Sequence, residues 1–399
     1  MSGHINKSTC RALYLVQTLT SFGVELSNFT LIIIAFKLDQ SHALKTVCVV
    51  FFIKMIARVF ITPIVSKINS DTFREIATII AFLCSALAFS LVNVTKVWHI
   101  YALAIVLQVS FSLSFSFLDS ALGNMSSDKN NFWLVKILMG NGRHFEIFYI
   151  FIMMYIFLLT IGLPALFDVA AIIFFTLATF IACLHLEKTV SPQNASSQIQ
   201  KNLFYTFLFN PWFRGVLAIN FIASLATAAV TINSFTLVQG VYGLSYVETI
   251  NSLLIFASGQ VFSRLMLNRI YAVLSKRDVV FLGGSLLVAG LLIAVKIHSF
   301  SSMLILWFTL GVGIELSCTP IVKLLQKPID SKTRTRLLSA QYTTSTLCAV
   351  ITYPIVSWSE VYIGTQPSFL VFGSLASIAI IIGVRYWPHN EDSSNFSLK

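Results

Sequence analysis

The residues of this 399-residue chain best placed to do chemistry are charges set in apolar company. Lys54 and Arg58 stand four apart in the middle of the apolar run 44–68, and on a helix that spacing puts both on one face. Glu25 lies near the middle of another apolar run, 12–36. In hydrocarbon such groups are costly, so they turn towards protein or a water-filled cavity. Two cations against one acid leave a surplus positive charge. An arginine fork donates two parallel hydrogen bonds to a carboxylate or phosphate, so the surplus suits an anionic solute. The competing reading is structural, with Glu25 pairing Lys54 or Arg58 and locking two helices together.

Further charges fall into the same kind of setting. Arg143, His144 and Glu146 cluster at the start of a later run. Glu146 could carry protons and Arg143 could join the anion site; alternatively the trio reaches from the interface to water. It lacks the two-ligand spacing of a metal site. Glu315 sits within Gly311-Val-Gly-Ile-Glu-Leu-Ser-Cys-Thr-Pro320, where glycines and a proline are expected to loosen the helix. Such irregular backbone at membrane depth faces protein or a cavity. Glu25 and Glu315 are therefore candidate proton carriers alongside Glu146. Asp119 and Arg264, near span ends, read as gate residues.

The elements that must hold these charges are long apolar runs. The chain is 56% hydrophobic and 11% charged, against about 25% charged for a soluble protein. Its mean hydropathy is +0.82. About twelve runs approach the roughly 20 residues that a helix needs to cross a bilayer. Their expected limits are 12–36, 44–68, 75–92, 98–122, 137–160, 164–184, 214–238, 245–270, 278–297, 301–325, 335–358 and 367–387. The ten-residue alternating segments of a membrane barrel are missing. The first run is longer than a signal-peptide core and is expected to remain in the mature protein. Trp98, Trp358 and Trp387 fall near run ends and read as interfacial anchors.

The net charge of +11 belongs to topology rather than to a nucleic-acid surface. Lysine and arginine gather in alternate connections, among them Lys67, Arg74, Lys201, Arg269, Arg277 and Arg334. That side is expected to be cytoplasmic, with both termini on it, which requires an even number of spans. The six cysteines are scattered, with no CxxC pair, so neither a disulfide framework nor a zinc site is indicated. Residues 187–213, rich in Ser, Gln and Asn, read as a cytoplasmic linker between a six-helix half at 1–186 and another at 214–399. The resulting expectation is an all-α polytopic membrane protein of twelve transmembrane helices in two six-helix pseudo-repeats.

At this point the chain resembles the major facilitator superfamily, and more narrowly its enterobactin-exporter-like efflux permeases. The opening helix, Leu15-Val-Gln-Thr-Leu-Thr-Ser-Phe-Gly-Val-Glu-Leu-Ser-Asn-Phe29, is similar to theirs. Pro63, Arg74 and, with a one-residue shift, Asp71 match the superfamily's G-x-L-x-D-R-x-G-R-R loop. Leu325 to Ser339 looks like its loop into the eleventh helix. The Gly-Pro pair of its antiporters is missing from 145–160. The resemblance implies the major facilitator fold and a solute site between halves, opened by rocking one on the other. Asp71 and Arg74 would then belong to a gate.

The combined expectation is a secondary active transporter moving a small organic anion, such as a siderophore, with proton coupling and export favoured. Lys54, Arg58 and Arg143 would bind the solute. Uptake of a siderophore or carboxylate, drug efflux, and a solute sensor on a transporter-like scaffold are the alternatives. No long connection carries the carboxylates or histidines of a membrane enzyme, and no Walker loop is present, so neither enzymatic activity nor a cofactor is expected. The expected partners are solute, protons and membrane lipid, without nucleic acid. The expected state is a monomer in the cell inner membrane.

Overall fold

A computed structural model describes residues 7–38, 43–65, 78–81, 83–86, 96–110, 142–183, 211–325 and 331–387. The regular structure of these residues is helical throughout, with no strand among them. Within an apolar run buried in lipid only a helix satisfies every amide internally. The chain divides into two compact units, Met1–Ser191 and Pro192–Lys399.

In the first unit, α1 (Lys7–Leu38), α2 (Ala43–Val65), α3 (Val97–Ser110), α4 (Gly142–Thr160) and α5 (Leu163–Cys183) follow in order. Residues 78–81 and 83–86 are also helical. Helix α1 packs on α5, and also against α2 and α4. Ser85 donates to the carbonyl of Ala171 on α5 at 2.9 Å.

In the second unit, α6 (Pro211–Phe235) runs into a π-helical turn, Thr236–Val241. It is followed by α7 (Tyr246–Ile270), α8 (Lys276–Ile293), a 3₁₀ turn (Ala294–Lys296), α9 (Phe300–Leu325), α10 (Ser331–Ile363) and α11 (Thr365–Tyr386). Helix α6 opens on Pro211, whose missing N–H is an orphan at that position in any helix. Ser245 and Ser275 cap α7 and α8, accepting from the amides of Val247 and Asp278. Helix α9 lies against α7 and α8; α6 lies against α10 and α11. A single residue, Gly364, turns α10 into α11 at φ +94°, a conformation that favours glycine.

Eight of these helices are long and apolar enough to span a membrane, and two shorter apolar helices accompany them among the described residues. Three sequence expectations need correction. Helix α10 continues five residues beyond the expected end of its span at 358. Glu315 lies on uninterrupted α-helix, since α9 carries Pro320 without a break and its glycines serve packing instead. Trp387 is buried, edge-on to Phe281 with ring centroids 5.7 Å apart, whereas Trp98 and Trp358 are exposed.

Candidate functional site

The best-defined polar cluster lies within the second unit, where α7 meets α9. Glycines bring the two backbones together. A Cβ on Gly259 would lie 2.2 Å from the Phe308 carbonyl oxygen, and one on Gly311 would lie 2.1 Å from that of Phe256. Neither position tolerates a side chain, and small residues at such crossings are how membrane helices approach closely. One turn further along both helices, the close approach presents Arg264 of α7 to Glu315 of α9.

Arg264 Nη1 donates to Glu315 Oε1 at 3.1 Å and to Thr319 Oγ1 at 2.8 Å. Thr319, four residues after Glu315 and on the same face, also donates to Glu315 Oε1. Glu315 is fully buried, and the Arg264 side chain is 11% exposed. Lys323, a further turn along α9, holds its ammonium 4.5 Å from the ring centroid of Tyr271, just beyond α7. Burial pushes the Tyr271 phenol up to about 12; the Glu315 carboxylate adds to this and the Arg264 guanidinium opposes it. The phenol therefore stays uncharged at neutral pH. Together these groups make an ion pair that a proton on Glu315 would weaken.

The first unit holds the other sequence candidates. Lys54 is 8% exposed on α2, its ammonium 5.1 Å from the Phe51 ring centroid. Glu25 is exposed on α1, and among the described residues it forms no ion pair with Lys54. The side chains of Arg58, Arg143, His144 and Glu146 lie outside the described residues, although their helical backbone is described. Asp71, Arg74 and Asp119 lie outside the described residues altogether. No group of three or more metal-binding side chains occurs among those described.

Sequence reasoning named Arg264 and Glu315 separately and missed their pairing. It also missed two polar contacts. Asn220 of α6 and Gln341 of α10 exchange amide hydrogen bonds at 3.1 and 2.9 Å, both side chains buried. Glu360, near the end of α10, is 3% exposed and accepts from Thr236 Oγ1 at 3.2 Å. Glu360 was detectable in principle: Val361-Tyr-Ile363 keeps the run apolar up to Gly364.

Taken together, the apolar helices and their packing make this a multi-pass membrane protein of all-helical architecture. Its fold is of the major facilitator type. The structure is similar to the crystal structure of a point mutant of the nucleoside transporter NupG, with a TM-score of 0.65 and 12% sequence identity. The likeness covers 96% of this chain and 100% of that one. No family model matches the chain, and no curated protein matches it.

Proposed function

We propose that this protein is a secondary active transporter that moves a small organic anion by alternating access, coupled to protons. One observation carries the reading. Lys54 is a buried cation on an apolar helix, in a chain that shares its fold over nearly its whole length with a solute transporter. A buried ammonium is expensive to keep unless it has negative groups to hold, and a solute carboxylate is one.

In this reading Lys54, Arg58 and Arg143 bind the anion. Glu25, Glu146 and Glu315 exchange protons. Arg264, Asp119, Asp71 and Arg74 form gate contacts. The Arg264–Glu315 ion pair supports its part: protonating the acid would remove the charge–charge attraction, leave only a hydrogen bond to a neutral acid, and weaken the tie between α7 and α9. The solute is of the siderophore or polycarboxylate kind. Export follows the resemblance to efflux permeases, and uptake uses the same chemistry in reverse. The protein works as a monomer in the inner membrane with both termini in the cytoplasm. A second reading, a nucleoside as solute, is favoured by the substrate named for the structural neighbour.

Purified protein in proteoliposomes with an imposed pH gradient tests both. A citrate-type siderophore should accumulate, while a nucleoside and a lipophilic cation should not. Accumulation of the nucleoside alone would move the assignment to the second reading. Saturable binding without flux would make the protein a sensor.

A further inference from the structure

A second buried carboxylate, Glu360, lies near the end of α10, and one of its oxygens lacks a donor. Glu360 Oε2 accepts from Thr236 Oγ1, but Oε1 finds no donor. The Asn233 side chain, one turn before Thr236 on α6, lies beside the carboxylate. Asn233 is fully buried; its Nδ2 donates to the Ala229 carbonyl at 2.8 Å, and its Oδ1 has no donor. Turning the amide over would set Oδ1 against that carbonyl, acceptor against acceptor, so the Ala229 bond fixes its orientation. Glu360 Oε1 and Asn233 Oδ1 are thus two buried acceptors without a donor on packed helices, and each orphan of this kind is costly.

Among the described residues no counter-charge pairs with the carboxylate. Among the described residues, the helices packed most extensively against α10 are α6, α11 and α9. Their charged residues are Arg214, Glu315, Lys323 and Arg385. Each lies about 20 Å or more along its helix from the end near Glu360, at 1.5 Å per residue. Nearer that end, Lys296 is exposed and Glu248 is bonded to Ser245. An ionised Glu360 would be a buried charge held by one hydroxyl.

We propose that Glu360 is a proton-binding site, holding its proton as an O–H donated to Asn233 Oδ1. One proton satisfies both orphan acceptors. A metal cation in its place would want a full shell of about six or more oxygens for a hard divalent ion, and the three side chains assigned here supply four. The π-helical turn begins at Thr236, the remaining partner of the acid, and such turns recur at functional sites. Loss of the proton would set like-signed oxygens against each other at the junction of α6 and α10. As a coupling residue Glu360 rests on the transport reading above; as a protonated acid it does not.

Infrared spectroscopy of the purified full-length protein reads the site without any solute. The carbonyl band of a protonated carboxyl should be present near neutral pH and vanish in Glu360→Gln. In Asn233→Leu it should shift to the position of a weakly bonded acid, which keeps the test open should one variant fold poorly. A neutral-pH spectrum with no such band, or a band untouched by Glu360→Gln, would overturn the inference. So would loss of the band on adding sodium at constant pH. Acid-driven accumulation in proteoliposomes should be lost in Glu360→Gln. If it persists while the infrared band is lost, Glu360 holds a proton but does not couple, and the coupling role is overturned. If no solute is accumulated by the wild type while the band behaves as expected, the transport reading fails and this one stands.

Discussion

Glu315 and Glu360 are both buried acids in the same helical unit, and they are kept in opposite ways. Glu315 meets a guanidinium and a hydroxyl, delivered by a glycine crossing that lets α7 approach α9. Glu360 meets a hydroxyl, and the cations on the helices packed against α10 lie about 20 Å or more along those helices from it. The difference teaches how a membrane protein can keep an acid in its interior: by bringing an opposite charge, or by holding the acid neutral. The first device ties two helices together through a charge. The second ties them through a proton.

The comparison breaks most visibly at Arg264. Arg264→Leu takes the guanidinium from the buried Glu315 carboxylate and should lower stability by about 3–5 kcal/mol, the usual result of removing one member of a buried ion pair. Thermal unfolding in detergent measures it, and an unchanged transition would mean that the pair contributes nothing.

Next in size is the crossing that makes the pair possible. Gly311→Ala places a methyl 2.1 Å from the Phe256 carbonyl oxygen, so backbone must move. Overpacking of this kind costs about 1–3 kcal/mol. The same variant should loosen the Arg264–Glu315 contact, which a double-mutant cycle with Arg264→Leu would register as coupling.

Much of this was legible in the sequence, and the omissions have physical causes. Apolar runs near twenty residues can only be helices in lipid, so the helix limits fell within a few residues of expectation for most elements. The end of α10 was missed because Trp358-Ser-Glu-Val-Tyr-Ile363 mixes polar and apolar residues. What stops that helix is the backbone of Gly364, not a change in hydropathy. Arg264 and Glu315 were each conspicuous as charges, but 51 residues separate them and no periodicity says which faces meet. The Asn220–Gln341 pair, 121 residues apart, carried no charge to draw notice.

Smaller effects sharpen the contrast. Thr319→Val removes one neutral partner of the ion pair and should cost about 1 kcal/mol in detergent unfolding, leaving the pair itself in place. Glu360→Gln should change stability least, by less than about 1 kcal/mol, because an amide offers the same donor and acceptor as a protonated acid. Glu315→Gln, which leaves a guanidinium facing an amide, should cost clearly more. Equal losses at the two positions would erase the distinction between a charged and a neutral acid.

Whether the protein transports an anion with protons is tested most directly by recording both fluxes in one vesicle. Proteoliposomes loaded with a pH-sensitive dye and given a siderophore gradient should show solute movement and a matching pH change, and Lys54→Gln should abolish both. Solute movement with no accompanying proton flux, or full anion flux in Lys54→Gln, would contradict the account.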